Sequence, residues 1–257
     1  MRLMIVSDLD GTLLDHATYS YASAQPMLDW LAARDVPVVL ASSKTGAEIT
    51  VWQERLGLQR WPAIVENGAA VFDGRFDDTA YRRLRAALAE INAPFQGFGD
   101  MSVAELSAVT GLSQAEASLA RTRAYSEPGL WLGEDPGLAE FLTALETRGI
   151  SARRGGRFLT LSFGGTKAGR LADLKAQLRP DLTIALGDAP NDAELLTAAD
   201  HGIVVRNTHG PGLPPLPGED TGRILRTQGE GPAGWREGLE AVLRGLGVME
   251  QGDRLDG

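Results

Sequence analysis

Short apolar runs alternate with stretches of three-to-four periodicity over the first part of the chain. Leu3-Met4-Ile5-Val6 stops at Ser7-Asp8-Leu9-Asp10-Gly11-Thr12, which predicts a buried strand feeding a loop. Met27, Trp30 and Leu31 predict a helix over residues 23–34. Residues 36–41 form a second apolar run, with Pro37 near its start where a missing donor is tolerated. A helix is expected over 46–56 and a third strand over 63–65. Strands alternating with helices predict parallel βαβ units, in which ligands gather beyond the carboxyl ends of the strands. Asp8, Asp10, Ser42 and Asn67 all fall at such ends.

From about Asp77 the texture changes. Residues 82–91, 113–123 and 136–148 carry helical patterns, 130–132 suits a strand, and 157–163 alternates like one. This predicts an inserted α+β cap over 76–164 with its own small sheet. Residues 1–75 and 165–257 are left for an α/β core built on a Rossmann-like parallel sheet. There the pattern resumes: helix 168–178 opened by Lys167, strand 183–186, helix 194–199 and strand 202–205. A Pro- and Gly-rich loop over 209–220, a helix over 234–246 and a polar end without a core pattern complete the chain.

Asp8 and Asp10 sit two residues apart, so on an extended backbone both side chains leave one side. Two carboxylates so placed repel unless they share a cation or one holds a proton. Magnesium suits them, since it takes oxygen ligands and bridges to phosphate. One carboxylate is then free to attack phosphorus and the other to handle protons. About 180 residues downstream, Gly187-Asp188-Ala189-Pro190-Asn191-Asp192 follows a strand. Its residues suit a turn and helix cap. Asp188 can also complete a magnesium site with Asp8 and the backbone carbonyl of Asp10, with Asn191 or Asp192 assisting directly or through water. The Ser42 hydroxyl and nearby amides can hold a phosphoryl oxygen. Lys167 can neutralise Asp8 and phosphate together as a point charge.

A formal net charge of −9 disfavours a nucleic-acid partner. No apolar run approaches the ~20 residues needed to span a bilayer, so no membrane partner is expected. The chain has no cysteine, which removes disulfides and thiolate metal sites. The apolar opening runs straight into the acidic motif, unlike a secretory leader, and a cytoplasmic location is expected. His16, His201 and His209 are scattered and show no ligand spacing.

The Asp-x-Asp-Gly-Thr segment, Ser42, Lys167 and Gly-Asp-x-x-Asn-Asp, in this order and strand context, resemble the haloacid dehalogenase superfamily of phosphohydrolases. The resemblance spans essentially the whole chain. It implies the fold of that superfamily with a cap of its second type (C2), common in sugar phosphatases. It also implies a magnesium-dependent monoester hydrolase with catalytic Asp8, Asp10, Ser42 and Lys167, and metal ligands Asp8, Asp10, Asp188, Asn191 and Asp192. Val65-Glu66-Asn67-Gly68, Arg154-Gly155-Gly156-Arg157-Phe158 and the tail from Arg226 to Leu239 are similar to the mannosyl-3-phosphoglycerate phosphatase family. That similarity implies a glycosyl ester of 3-phosphoglycerate as substrate, mannosyl or glucosyl, and a compatible solute as product. Ser43, Lys44, Asn67, Arg154 and Arg157 are the expected substrate contacts. An arginine of this group would pair with the glycerate carboxylate, and Arg153 stands as a third candidate. The five tryptophans are expected to serve in packing, with closure of Trp235 over a sugar as the alternative for the one in the tail. The expected partner is a small phosphorylated sugar, and the expected state a monomer or homodimer. A phosphomutase and a non-catalytic sugar-phosphate sensor remain as alternatives.

Overall fold

The computed structural model describes residues 1–155, 157–250 and 253. The first half of the core contributes β1 (Leu3–Ser7), α1 (Gln25–Ala33), β2 (Val38–Leu40), α2 (Gly46–Leu56), β3 (Ala63–Val65) and β4 (Ala70–Phe72). Then come α3 (Thr79–Ile91), β5 (Phe95–Gly97), α4 (Val103–Thr110), α5 (Gln114–Arg121), β6 (Ser126–Trp131), α6 (Asp135–Glu146), β7 (Ser151–Gly155) and β8 (Phe158–Ser162). The chain ends with α7 (Lys167–Leu178), β9 (Leu182–Gly187), α8 (Ala193–Ala198), β10 (His201–Arg206), β11 (Ile224–Glu230) and α9 (Gly231–Gly245).

The fold is α/β. A five-stranded sheet runs β11-β10-β9-β1-β2 with every pairing parallel. Strand β1 is buried at every position and splits its side chains between two cores. Leu3 and Ile5 pack with α1, α2 and α9, whereas Met4 and Val6 pack with α7 and α8. A sheet covered on both faces reads as a continuous apolar run, which is the pattern that made β1 legible.

Helix starts follow from local chemistry. Thr45 and Glu48 close a capping box on α2, and Ser102 with Glu105 and Ser113 with Glu116 do so on α4 and α5. Thr166 caps α7 by accepting from the Gly169 amide at 2.9 Å, which places Lys167 in its first turn.

Some expectations are corrected. Strand β3 is not a full member of the parallel sheet. It pairs antiparallel with β4, and its ladder link to the β2 side is a single parallel bridge, Ala41–Ile64, just past β2. The cause is the turn after β3: Glu66 and Asn67 take φ of 51° and 58°, which reverses the chain. Trp235 does not face a sugar; it is fully buried beneath β1 and donates to the Ser7 hydroxyl at 2.9 Å. The polar end is anchored by Met249, which is 3% exposed.

The second sheet, ordered β5-β6-β8-β7 and antiparallel, lies wholly between β4 and α7. Leu159 and Leu161 pack with α3 and α6 on one face. Phe158 and Leu130 join α4 and α5 residues on the other. Among the described residues, no helix is long and apolar enough to cross a membrane. Gly156 of the double glycine and most of the polar end lie outside the described residues.

Candidate active site

Asp8 is the first residue past β1, and its amide donates to the Leu186 carbonyl at 2.9 Å. Because β1 sits between β2 and β9, Ser42 and Asp188, each just past its strand, flank it. Lys167 arrives from the start of α7 and spans two carboxylates, 2.6 Å from Asp8 Oδ1 and 2.7 Å from Asp192 Oδ1. Carboxylate oxygens of Asp8, Asp188 and Asp192 lie within 4.8 Å of one another, and all three residues are buried.

Three buried carboxylates around one ammonium leave an excess of negative charge. Burial and the repulsion of Asp192 push the Asp8 pKa well above the ordinary aspartate value, although Lys167 pulls against them. Asp188 is raised too, first by burial and then by Asp192, while hydrogen bonds from Thr12 and Asn207 oppose the rise. Burial works to lower the Lys167 pKa, but Asp192 and Asp8 overcome it and raise it. An all-oxygen donor set with surplus negative charge fits a hard divalent cation.

The three carboxylates are not equivalent. Asp192 uses Oδ1 for Lys167 and accepts the Asp188 and Ala189 amides on Oδ2 at 3.2 Å each. Both its oxygens are committed, so it orients the lysine and the turn. Asp188 accepts from Thr12 Oγ1 on Oδ1 and from Asn207 Nδ2 on Oδ2, each at 2.5 Å. Asp8 keeps Oδ2 without a hydrogen-bond partner among the described residues. Gly11 shapes this packing: its φ is 82°, and a Cβ there would stand 2.8 Å from Asp188 Oδ2.

Asp10 forms an ion pair with Lys44 at 3.1 Å, but its buried Oδ1 takes no aligned hydrogen bond. Burial acts to lower the Lys44 pKa, and Asp10 and Glu48 raise it above the ordinary lysine value. The Ser42 side chain is buried, and its Oγ accepts the Lys44 amide at 3.2 Å. Ser43 is exposed. Asn67 donates its amide to the Ser42 carbonyl at 3.0 Å and accepts from Asn191 Nδ2 at 3.4 Å. Asn191 is thus outside the carboxylate trio and faces Asn67 instead.

The arginines separate by strand register. Ser126 on β6 pairs with Ser162 on β8, which pairs with Ser151 on β7, and two residues on Pro128, Thr160 and Arg153 line up. The Ser126 hydroxyl reaches Glu66 of the core at 2.7 Å, so this face looks toward the core. Period-two alternation puts Arg153 on that face and Arg154, paired with Leu159, on the face covered by α3 and α6. Arg157 is exposed, donates to the Thr110 carbonyl at 3.3 Å and lies over the Phe158 ring. Neither Arg154 nor Arg157 is brought to the carboxylates.

Residues 5–91 match the family model of haloacid dehalogenase-like hydrolases. Solved structures extend the likeness in fold. A hypothetical protein of Geobacillus kaustophilus HTA426 superposes with a TM-score of 0.66 at 17% identity, covering 97% of this chain and 100% of its own. A phosphatase of the same enzyme superfamily from Bacteroides thetaiotaomicron gives 0.63 at 16% identity, covering 97% and 96%. The sucrose-phosphatase of Synechocystis sp. PCC6803, solved with sucrose and phosphate, gives 0.61 at 17%, covering 97% and 100%.

Sequence reasoning assigned no role to Thr12 or Asn207, the two donors that hold Asp188. Thr12 had a signal, its place in Asp-x-Asp-Gly-Thr. Asn207 had none beyond following an apolar run, since its partner is 19 residues away and met only in the fold. The tail that resembled the narrower family is structural here. Trp235 is buried, and Arg226 holds Glu219 and the Leu213 and Pro214 carbonyls.

Proposed function

We propose that this chain is a phosphoric monoester hydrolase of phosphorylated sugars that works through an aspartyl-phosphate on Asp8. The observation that carries the reading is the buried Asp8–Lys167–Asp192 chain with Asp188 beside it and Asp10 two residues on. Asp8 Oδ2 attacks phosphorus, the bond from phosphorus to the ester oxygen breaks, and Asp10 gives its proton to the leaving alkoxide. Water then attacks phosphorus, Asp10 takes the water proton, and the bond to Asp8 breaks to release inorganic phosphate. Lys167 holds the attacking carboxylate in place and, with Ser42 and the neighbouring amides, offsets charge on the phosphoryl oxygens. Asp8, Asp188 and the Asp10 carbonyl would hold Mg2+, with Asp192 behind them, and Mg2+ there supplies positive charge for the phosphoryl group. Asn191, paired with Asn67, belongs in this reading to the substrate side.

The antiparallel sheet over 76–164 is the cap, which reads the part of the substrate beyond the phosphate. Arg153, on the core-facing side of that sheet, is the favoured partner for a glycerate carboxylate. The narrower reading, a mannosyl- or glucosyl-3-phosphoglycerate phosphatase, rests on the resemblance of the Val65–Gly68 and Arg154–Phe158 segments. The sucrose-phosphatase likeness supports a sugar phosphate in general.

Phosphate release with Mg2+ from mannosyl- and glucosyl-3-phosphoglycerate, 3-phosphoglycerate and hexose phosphates tests both levels. A preference of ~100-fold in kcat/KM, about 2.7 kcal/mol, for a glycosyl-phosphoglycerate supports the narrow reading. Broad, weak hydrolysis withdraws it and keeps the monoesterase. No release from any ester overturns the enzyme and leaves a sensor, and phosphoryl transfer to added hexose phosphate identifies a mutase.

A further inference from the structure

Glu66 is a buried carboxylate that the proposed chemistry does not use. Its side chain is fully buried, and its backbone holds the unusual φ of 51°. Such a conformation in a long side-chain residue persists only where its surroundings hold it. Those surroundings are the cap. Glu66 Oε1 accepts the Ala124 amide at 2.9 Å. Oε2 accepts the Tyr125 amide at 3.2 Å and both the amide and the hydroxyl of Ser126 at 2.7 Å. The Arg123 guanidinium, itself buried, lies 3.3 Å from the same oxygen. Four hydrogen bonds and an ion pair reach this carboxylate, one on Oε1 and the rest on Oε2, all from a single cap segment leading into β6.

The same turn grips the catalytic loops. The Glu66 amide donates to the Lys44 carbonyl and the Asn67 amide to the Ser42 carbonyl, each at 3.0 Å. Gly68 lies so close to α7 that a Cβ there would stand 2.2 Å from the Lys167 nitrogen. Elsewhere Thr45 Oγ1 donates across to the Leu119 carbonyl at 3.1 Å, a neutral bond. Charge-assisted bonds are roughly twice as strong as neutral ones.

We propose that Glu66 is a positioning residue, a latch that fixes the cap against the core and makes it a standing wall of the substrate site. The inference rests on the hydrolase reading above. Its effect is selective. An ester that reaches the cap depends on the latch, and a small ester that occupies only the phosphate subsite does not. The cap also stays docked between turnovers, so substrate enters past it without lifting it off.

The test uses the full-length protein with Mg2+ and the isosteric Glu66→Gln variant, in which an amide nitrogen opposes donors that need an acceptor. Against the preferred sugar phosphate, KM rises about tenfold with kcat little changed, whereas kcat/KM for p-nitrophenyl phosphate stays within about threefold. Glu66→Asp restores part of the loss. A parallel fall for both esters, or no change for either, overturns the latch. Amide exchange supplies a readout free of activity. In the wild type, the amides of residues 124–126 exchange as slowly as those of β1, and in Glu66→Gln they exchange at least ~10-fold faster while β1 is unchanged. Unchanged exchange at 124–126 sinks the proposal. Should Glu66→Gln not fold, Ser126→Ala removes one bond of the set and must give the same selective pattern at smaller amplitude. If the wild type hydrolyses no ester, the catalytic reading falls and the exchange result alone decides the latch.

Discussion

Two buried acidic centres in this molecule are built on opposite principles. In the cap, Glu127 is fully buried, yet it receives the Tyr81 hydroxyl at 2.6 Å, Arg85 at 3.0 Å and the Gly99 amide at 3.1 Å. Arg85 is held in turn by Asp100. At the carboxyl end of the parallel sheet, Asp8, Asp188 and Asp192 share a single ammonium, and two of them have raised pKa values. A buried charge with its partners in place is settled structure. A buried cluster short of positive charge has work left for a cation or for an electrophile such as phosphorus. The difference between the centres is one of satisfaction, since both consist of acidic residues near a cation.

The comparison can be broken experimentally. The largest effect is expected at Asp8→Asn, which removes the proposed nucleophile. Turnover falls by at least ~10⁴-fold while circular dichroism and thermal unfolding stay near wild type. Persisting wild-type phosphate release would end the aspartyl-phosphate mechanism. Next, neutralising the two centres has opposite consequences for folding. Glu127→Gln costs about 2–3 kcal/mol in denaturant unfolding, because one of the two oxygens that serve Arg85, Tyr81 and the Gly99 amide becomes a donor and Arg85 loses its buried counter-charge. Asp188→Asn instead leaves the metal-free protein as stable or up to ~1 kcal/mol more stable, while lowering kcat/KM by roughly 10²–10³-fold. Equal destabilisation by both variants would erase the distinction.

A smaller effect is read in pH. The folded protein holds protons on Asp8 and Asp188 at pH values where the unfolded chain has released them. Metal-free stability therefore falls as pH rises from the ordinary carboxylate range toward neutrality. Lys167, whose pKa is raised, keeps its contribution through this window and loses it only above the ordinary lysine range. Carboxylates with lowered pKa, such as Asp100 beside Arg85, matter only at more acidic pH. Saturating Mg2+ then raises the melting temperature by about 5 °C at pH 7.5 and by less at pH 5. A larger shift at pH 5 would contradict the sign. Smallest is the arginine pair. Arg153→Ala raises KM for a carboxylate-bearing ester about 5-fold, and Arg154→Ala changes it less than 2-fold, in steady-state assays.

Legibility followed from how each residue meets its partners. Asp188 and Asp192 are near neighbours in the chain, so their convergence can be read from spacing. Strands β1, β2, β9 and β10 are covered on both faces and announce themselves as apolar runs. Strands β5 and β7 do not. The first has three residues, and the second is an edge strand whose Ser, Arg and Gly positions are mostly exposed. Strand β11, at an edge of the parallel sheet, mixes buried and exposed positions without clean alternation, and so was assigned no element. The same limit left Trp235 open between packing and a sugar contact, since an isolated aromatic carries no sign of which surface it joins.

The sequence by itself determined the α/β class and pointed to Asp8, Lys167 and the second acidic motif, which the fold brings together. Local spacing and burial pattern carry that information. Tertiary structure decided the rest. It committed Asp192 to Lys167 rather than to the open side of the cluster, and it moved Asn191 across to Asn67. It brought Thr12 and Asn207 to Asp188, set Arg153 and Arg154 on opposite faces by register, and joined Glu66 to residues nearly 60 positions away. These outcomes depend on which strands lie side by side and on which face of a pleat a residue falls. A one-residue change of register reverses the second without altering a letter of the sequence.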